Sequence, residues 1–389
     1  MRQGFTFLTG SSFKEGKNQL RDIIVIDDFS NQEIEHIFHI ADDMANVISS
    51  GSPRLCNGKI LATLFYEPST RTRLSFESAM LRLGGNVLGF AEPSSSSVVK
   101  GETLADTARV VSEYADVIVI RHPFAGAARV IADYAEIPVI NGGDGSHQHP
   151  TQTLYDLYTI NKHLGRIGEL KVGLCGDLRF GRTVHSLSYA LARFGSDMTC
   201  IAPEGLELPD HVLQRLELKY KRKVNYAEKL DDVIGDLDVL YMTRIQKERL
   251  PENIDYSSVA KKYVIDKALM SKAKKQMMLL HPLPRVDEIA YEIDDDQRAF
   301  YFRQSAYGVR VRMALTAIVL DILKIPTTAG SEPLSRQVTV KKRCVNPRCV
   351  VNNESYLTQK FEVISDLPPL LACVYCGEKP VDEDSEANI

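Results

Sequence analysis

Glu67-Pro68-Ser69-Thr70-Arg71-Thr72-Arg73 stands where an apolar run ends and a helical periodicity begins. Before it, Ile60-Leu61-Ala62-Thr63-Leu64-Phe65-Tyr66 reads as a buried strand. After it, Leu74, Phe76, Ala79, Met80, Leu81 and Leu83 recur at helical spacing until Gly84-Gly85 ends the helix. Pro68 sets the turn, Ser69 and Thr70 suit the N-cap, and the first helical turn carries backbone N–H groups without helical partners. Ser and Thr commonly do no more than cap, and Arg commonly lies on a solvated face. Two arginines in a first turn, however, run against the helix dipole, which favours cations at the opposite end. A bound, doubly charged anion resolves the conflict, with hydroxyls and amides as donors and guanidiniums as bidentate clamps.

The surrounding chain has 389 residues, 44% hydrophobic and 25% charged, enough for two or more cores and unlike a disordered chain. A net charge of −4 with interspersed signs offers no global attraction for nucleic acid or an anionic membrane, so an anion site must be local. Met1-Arg2-Gln3-Gly4-Phe5 lacks the apolar core of a signal peptide, and no apolar stretch approaches a bilayer span. A cytoplasmic location is the expectation.

Gln32 to Ser50 is helical in pattern, ended by Gly51 and Pro53. From Ile60 strands and helices alternate: strands at Asn86–Ala91, Asp116–Arg121 and Ile137–Asn141, helices near Thr103–Tyr114 and Ala127–Ala135. This is the pattern of a parallel sheet covered on both faces, which collects ligands at its carboxyl strand ends. Arg121-His122-Pro123 falls at one such end. Asn141-Gly142-Gly143-Asp144-Gly145-Ser146-His147-Gln148-His149-Pro150 is a polar turn entering a helix that runs to Leu164. His149 and Gln152 lie close together on its opening turn, where they can face the same ligand as Arg71 and Arg121. The serine run Ser94–Ser97, ahead of Lys100, reads by itself as a solvent loop.

Lys171–Gly176 opens a second α/β series, with strands at Met198–Ala202, Val239–Thr243 and Met277–Leu280 and helices at Val184–Phe194, Val212–Lys221 and Leu230–Ile234. The expected fold is therefore α/β: two doubly wound parallel-sheet domains, 1–149 and 150–308, joined by interdomain helices. An apolar helix at Val309–Leu323 is expected to pack back on the first domain. Arg182 and Arg244 place two cations at the mouth of the second sheet, suited to a dicarboxylate in an interdomain cleft. Gly176 and Gly181 do not complete Gly-x-Gly-x-x-Gly, which argues against NAD, and no organic cofactor is expected.

Of seven cysteines, Cys56, Cys175 and Cys200 lie in apolar segments and read as buried thiols. Beyond a linker at 325–340, the segment 341–389 carries Cys344-x4-Cys349 and Cys373-x2-Cys376. Four thiolates close a tetrahedral Zn²⁺ site to water, so a structural metal in a small β-rich zinc domain is expected. Lys341-Lys342-Arg343 could point to nucleic acid, but no basic and aromatic surface accompanies it.

Ser69-Thr70-Arg71-Thr72-Arg73 after a strand resembles the carbamoyl-phosphate motif of the transcarbamoylases. The loop from Lys100-Gly101-Glu102-Thr103 to Asp106-Thr107, Arg121-His122-Pro123, the turn Gly143 to Thr153, and Gly181-Arg182-Thr183-Val184-His185-Ser186 match the same family in order. Arg244-x-Gln246-x-Glu248-Arg249 and His281-Pro282-Leu283-Pro284-Arg285 resemble the aspartate carbamoyltransferases. Ornithine carbamoyltransferases carry a cysteine where Pro282 stands.

The resemblance implies transfer of a carbamoyl group from carbamoyl phosphate to L-aspartate, the committed step of pyrimidine synthesis, with no enzyme nucleophile. Ser69, Thr70, Arg71 and Thr72 match phosphate-binding positions, and Thr72, Arg121 and His149 match the groups on the carbonyl oxygen. Gln152 matches a contact to the carbamoyl nitrogen, and the Pro282-Leu283 backbone matches groups that orient it. Arg182, Arg244 and Gln246, together with Leu283 and Lys100, fall on aspartate-binding positions. Lys100 and Ser96, with Ser97 as the alternative serine, match a loop that reaches a neighbouring subunit's site; a homotrimer with shared sites follows.

The cysteine module resembles the zinc domain of the aspartate carbamoyltransferase regulatory chain, here fused to a catalytic chain. A nucleotide-binding domain needs on the order of a hundred residues, more than the linker holds, so classical ATP/CTP control is not expected. Whether the module also joins trimers stays open. Two other readings are a carbamoyltransferase for another amine and a non-catalytic zinc-bearing scaffold.

Overall fold

The computed structural model describes residues 21–51, 54–90, 101–245, 263–326 and 336–382. Strands β1 (Ile60–Phe65), β2 (Asn86–Phe90), β3 (Val117–His122) and β4 (Val139–Asp144) form a parallel sheet in the order β2-β1-β3-β4. Helices α1 (Asn31–Ser50), α2 (Thr70–Arg82), α3 (Leu104–Ser112) and α4 (Ala127–Tyr134) accompany it. β1 and β3 are apolar almost throughout because both their faces are covered. Ile23 adds a single parallel bridge beside Ile140, too short to read as a strand in the sequence.

Helix α5 (Pro150–Leu164) touches β4 of the first sheet and α6 (Arg182–Phe194) of the second, so it links the two lobes. The second sheet runs β7-β6-β5-β8-β9, all parallel: β5 (Lys171–Cys175), β6 (Asp197–Ile201), β7 (Asn225–Tyr226), β8 (Val239–Met242) and β9 (Met278–Leu280). Its helices include α7 (Asp210–Leu218) and the one-turn α8 (Lys267–Met270). β7 is an exposed two-residue edge strand, without the apolar run that marked the others.

The last long helix, α9 (Tyr301–Val319), begins eight residues before the expected start at Val309. The reason is physical: Gln304, Gly308 and Arg312 are among its buried positions, so its first two turns lack the apolar periodicity that announces a helix. It packs against α1, α2 and α5.

The cysteine module is β-rich, with an antiparallel sheet β10 (Gln337–Val338), β12 (Phe361–Asp366) and β13 (Pro369–Cys373) and a ladder of β11 (Lys342–Cys344) with β14 (Pro380–Asp382). It docks on its own chain. Val350, Phe361 and Tyr375 share one buried cluster with Ala127 and Ile131 of α4. The Ala125 N–H donates to Arg348 O at 3.0 Å, and the Val350 N–H donates back to Ala125 O at 2.9 Å. Gly126 has φ +87°, and a Cβ there would lie 2.4 Å from Tyr375 Cβ, so only glycine permits the approach. No helix among the described residues is long and apolar enough to cross a membrane.

Candidate active site

The site forms at the carboxyl ends of β1, β3 and β4. α2 starts at Thr70, and Ser69 occupies its N-cap position without a side-chain cap bond, leaving the hydroxyl to other use. Thr72 is buried while Thr70 and Arg71 are exposed. The N–H groups of that first turn and the hydroxyls of Ser69 and Thr70 therefore stand together at the positive end of the helix.

Gly142 and Gly143, at the end of β4, are where the other side chains meet. A Cβ on Gly142 would lie 3.6 Å from Thr72 Cγ2. One on Gly143, whose φ is +111°, would lie 3.3 Å from Arg121 Nη1, from Arg182 Cδ and from His149 Cδ2. Residues from α2, β3, β4, α5 and α6 thus meet in one small volume, where a side chain at position 143 would be strained by its φ and would crowd all three neighbours.

Glu67 organises the cations. Arg182 Nη2 donates to both its oxygens, at 2.8 and 2.9 Å, and Arg121 Nη2 reaches Oε1 at 3.4 Å. Burial works against the charge on Glu67, but Arg182 and Arg121 hold its carboxyl below the ordinary value. Burial and the neighbouring Arg182 guanidinium depress Arg121 to about 9, with Glu67 opposing, so Arg121 remains cationic at neutral pH. Among the described residues, Arg121 Nε and Arg182 Nη1 are buried without a hydrogen-bond partner.

His149 is the N-cap of α5, and Pro150 follows it at the first helical position. Burial, then Arg121, Arg312 and Arg182, push its pKa well below the ordinary histidine value, so the ring is neutral. Thr151 Oγ1 lies 3.5 Å from Nδ1; with that hydroxyl donating, the single N–H sits on Nε2, which is buried without a partner. Gln152 lies one turn on, its Nε2 donating to Asp156 at 2.8 Å.

His281 fixes the turn that follows β9. The Leu283 N–H donates to His281 Nδ1 at 2.8 Å, so Nε2 carries the proton and donates to Glu288 Oε1 at 2.8 Å. Pro282 and Leu283 are half-buried there, and Arg244 is half-buried beyond the end of β8. Ser96, Ser97, Lys100 and Gln246 lie outside the described residues.

Residues 21–162 match the carbamoyl-P binding domain of the aspartate/ornithine carbamoyltransferases, and residues 168–319 match their Asp/Orn binding domain. The chain belongs to the aspartate/ornithine carbamoyltransferase family. The Clostridium kluyveri aspartate carbamoyltransferase catalytic subunit is 54% identical over 305 residues, 78% of this chain and 98% of that protein. The catalytic subunit of M. jannaschii aspartate transcarbamoylase aligns with a TM-score of 0.72 at 50% identity, covering 77% of this chain and 98% of its own. Trypanosoma cruzi aspartate transcarbamoylase in complex with carbamoyl phosphate aligns with a TM-score of 0.73 at 40% identity, over 76% of this chain and 95% of that one.

Beyond the carbamoyltransferase lobes, residues 337–386 match the metal-binding domain of the aspartate carbamoyltransferase regulatory chain. Cys344, Cys349, Cys373 and Cys376 are buried, with their sulfurs all within 4.8 Å of one another. Two pairs stand at 3.4 and 3.8 Å, too far for disulfides and near the edge of about 3.8 Å that a tetrahedron of Zn–S bonds would give. The donor set fits a closed metal site.

Sequence reading assigned no role to Glu67, although it opens the deciding stretch, nor to Asp156, Gln304 or Arg312. Asp156, Gln304 and Arg312 gave a weak signal because each is a polar residue at a buried helical position, and half-buried Glu67 reads locally as an ordinary turn residue.

Proposed function

We propose that this chain transfers the carbamoyl group of carbamoyl phosphate to the amine of L-aspartate, forming N-carbamoyl-L-aspartate and phosphate, the committed step of de novo pyrimidine synthesis. The observation that carries the reading is the set of buried side-chain nitrogens without partners, His149 Nε2, Arg121 Nε and Arg182 Nη1, on residues gathered around Gly143. Relatives named as aspartate carbamoyltransferases support aspartate as the acceptor.

On this reading Ser69, Thr70, Arg71 and Thr72 hold the phosphate, while Thr72, Arg121 and neutral His149 donate to the carbonyl oxygen as it gains charge. Gln152 and the Pro282-Leu283 backbone orient the carbamoyl nitrogen. Arg182, Arg244, Leu283 and Gln246 receive aspartate. The amine nitrogen bonds to the carbonyl carbon, the C–O bond to phosphate breaks, and the departing phosphate takes the amine proton. Orientation and the preorganised cations account for the rate; no enzyme nucleophile takes part.

Residues 1–149 with the returning helix form the carbamoyl-phosphate lobe, 150–308 the aspartate lobe and 341–389 the metal module. Four thiolates at this spacing suit Zn²⁺, which when bound cross-links the module and does no chemistry. Leu74 and Leu81 are exposed on the outer face of α2, 57% and 60%, and suit burial against a second copy in a trimer. In that trimer Lys100 and Ser96 would enter the neighbouring site. The enzyme is assigned to the cytoplasm.

The test is product formation by the purified protein with aspartate and, in parallel, ornithine. Carbamoyl-aspartate should form. Activity with ornithine alone would overturn the acceptor assignment, and none with either would favour a scaffold. Sedimentation should give three chains, and elemental analysis about one zinc per chain.

A further inference from the structure

Asp156 lies fully buried on α5, one turn beyond Gln152. Its Oδ1 accepts from Gln152 Nε2 at 2.8 Å and from Gln304 Nε2 at 2.6 Å, and its Oδ2 accepts from the Tyr241 hydroxyl at 2.9 Å. We propose that Asp156 is a positioning residue that fixes the orientation of both glutamine amides, so that Gln152 keeps its carbonyl oxygen for the reacting group and Gln304 keeps its own for the turn that orients that group. The inference rests on the carbamoyl-transfer reading above.

The argument is one of donors and acceptors. An ionised carboxylate only accepts, so both NH₂ groups must face it. Gln152 Oε1 is then directed away, accepting from Tyr155 OH and retaining a lone pair. A carbamoyl NH₂ is a donor and requires such an acceptor. Gln304 Oε1 likewise accepts the His281 N–H at 3.0 Å, at the base of the Pro282-Leu283 turn. With either amide reversed, its carbonyl oxygen would face the carboxylate, acceptor against acceptor, at a buried site. One carboxylate thus ties α5 and α9 to β8 and to the turn after β9.

Burial pushes the Asp156 carboxyl up to about 7, against the three donors; Arg312, Tyr155 and Tyr241 are the other titratable groups that face it. Above that pH the orientation holds. Below it, one oxygen becomes a donor and the arrangement loosens.

The experiment compares full-length wild type with Asp156→Asn and Gln304→Met. It measures kcat and KM for carbamoyl phosphate, competitive inhibition by inorganic phosphate, Tm, and the pH profile of kcat. Asparagine offers a donor as well as an acceptor, so one glutamine is freed to flip. D156N should lose about tenfold or more in kcat/KM for carbamoyl phosphate, and Q304M a smaller factor, because misplaced contacts weaken transition-state alignment. Phosphate inhibition should stay within about twofold, since phosphate alone makes no demand on Gln152. The acid limb near neutrality should disappear in D156N. Should D156N fail to fold, Q304M carries the test.

Wild-type kinetics in both variants would overturn the proposal. So would phosphate affinity and Tm falling in step with kcat/KM, which marks a structural role only. An inactive wild type would overturn the proposed function and this inference with it, a result distinct from an active wild type matched by its variants.

Discussion

Two carboxylates in this chain each gather arginines, and the two clusters do opposite things. Glu67 binds Arg182 and Arg121 yet leaves Arg182 Nη1 and Arg121 Nε unpartnered beside neutral His149. Asp27 binds Arg193 at 3.2 Å, Arg215 at 3.1 Å, Lys219 at 2.9 Å and the Tyr220 hydroxyl at 2.5 Å. Arg215 commits its other terminal nitrogen to Glu362 of the metal module at 2.7 Å. The second cluster joins the residues before α1, the second lobe and the metal module, with its terminal donors committed. Arg215 Nε is buried without a partner too, so the contrast rests on the terminal nitrogens: Arg182 keeps Nη1 for a ligand, whereas Arg215 commits both of its own to carboxylates and serves as a joint.

The sharpest way to break this comparison is to truncate one arginine in each cluster. Arg121→Ala should lower carbamoyl-aspartate formation about 100- to 1000-fold while leaving the unfolding midpoint nearly in place. Arg215→Ala should do the reverse, costing up to about 3 kcal/mol of stability because it breaks part-buried ion pairs to Asp27 and Glu362 at once, with activity per folded molecule nearly preserved. Denaturant titration alongside steady-state kinetics separates them; equal losses in both measurements for both variants would erase the distinction.

Metal removal comes next in size. Because the cysteines share a buried cluster with α4, chelation followed by calorimetry should show a lowered midpoint and loss of the module's protection from proteolysis. If the midpoint is unmoved, the module is held by its apolar contacts alone.

The Asp27 cluster also predicts a pH effect. Although burial opposes it, Arg215, Lys219 and Arg193 hold the Asp27 carboxyl below its ordinary value of 3.8. The stability this contributes is fully present above that value and is lost as pH falls toward the lower, folded one. Asp27→Asn should therefore flatten the acid limb of stability, read by denaturant midpoints from pH 5 downward.

The smallest effect should come from the rim. His211 Nδ1 meets Glu378 Oε1 of the module at 2.9 Å, and both side chains are partly exposed. Glu378→Gln should change stability by at most about 1 kcal/mol and leave turnover unchanged. A larger loss would show that this contact belongs to the joint itself.

Much of this was legible in the chain. The strands of the first sheet stood out because burial on both faces makes an apolar run, and α2 and α5 announced themselves through local turn chemistry at Ser69 and Pro150. The anion-binding turn, the polar turn entering α5 and the cysteine spacing are short-range features. α9 was read late because Gln304 and Arg312 occupy its buried face. Asp156 and Gln304 escaped for the same reason: their meaning lies in donors that arrive from other elements.

The sequence by itself determined the chemical inventory: a helix start carrying two hydroxyls and two arginines, cations after several strands, four thiols at metal-binding spacing and two α/β series to carry them. Only the tertiary structure decided which cations are committed to carboxylates and which keep donors for a ligand. Glu67 lies 115 residues from Arg182, and Asp27 lies 188 from Arg215. Pairing depends on distance and on exclusion of water, and both are set by packing between segments remote in the chain. The same packing seats the metal module on α4, where Val350, Phe361 and Tyr375 find the apolar cover they need.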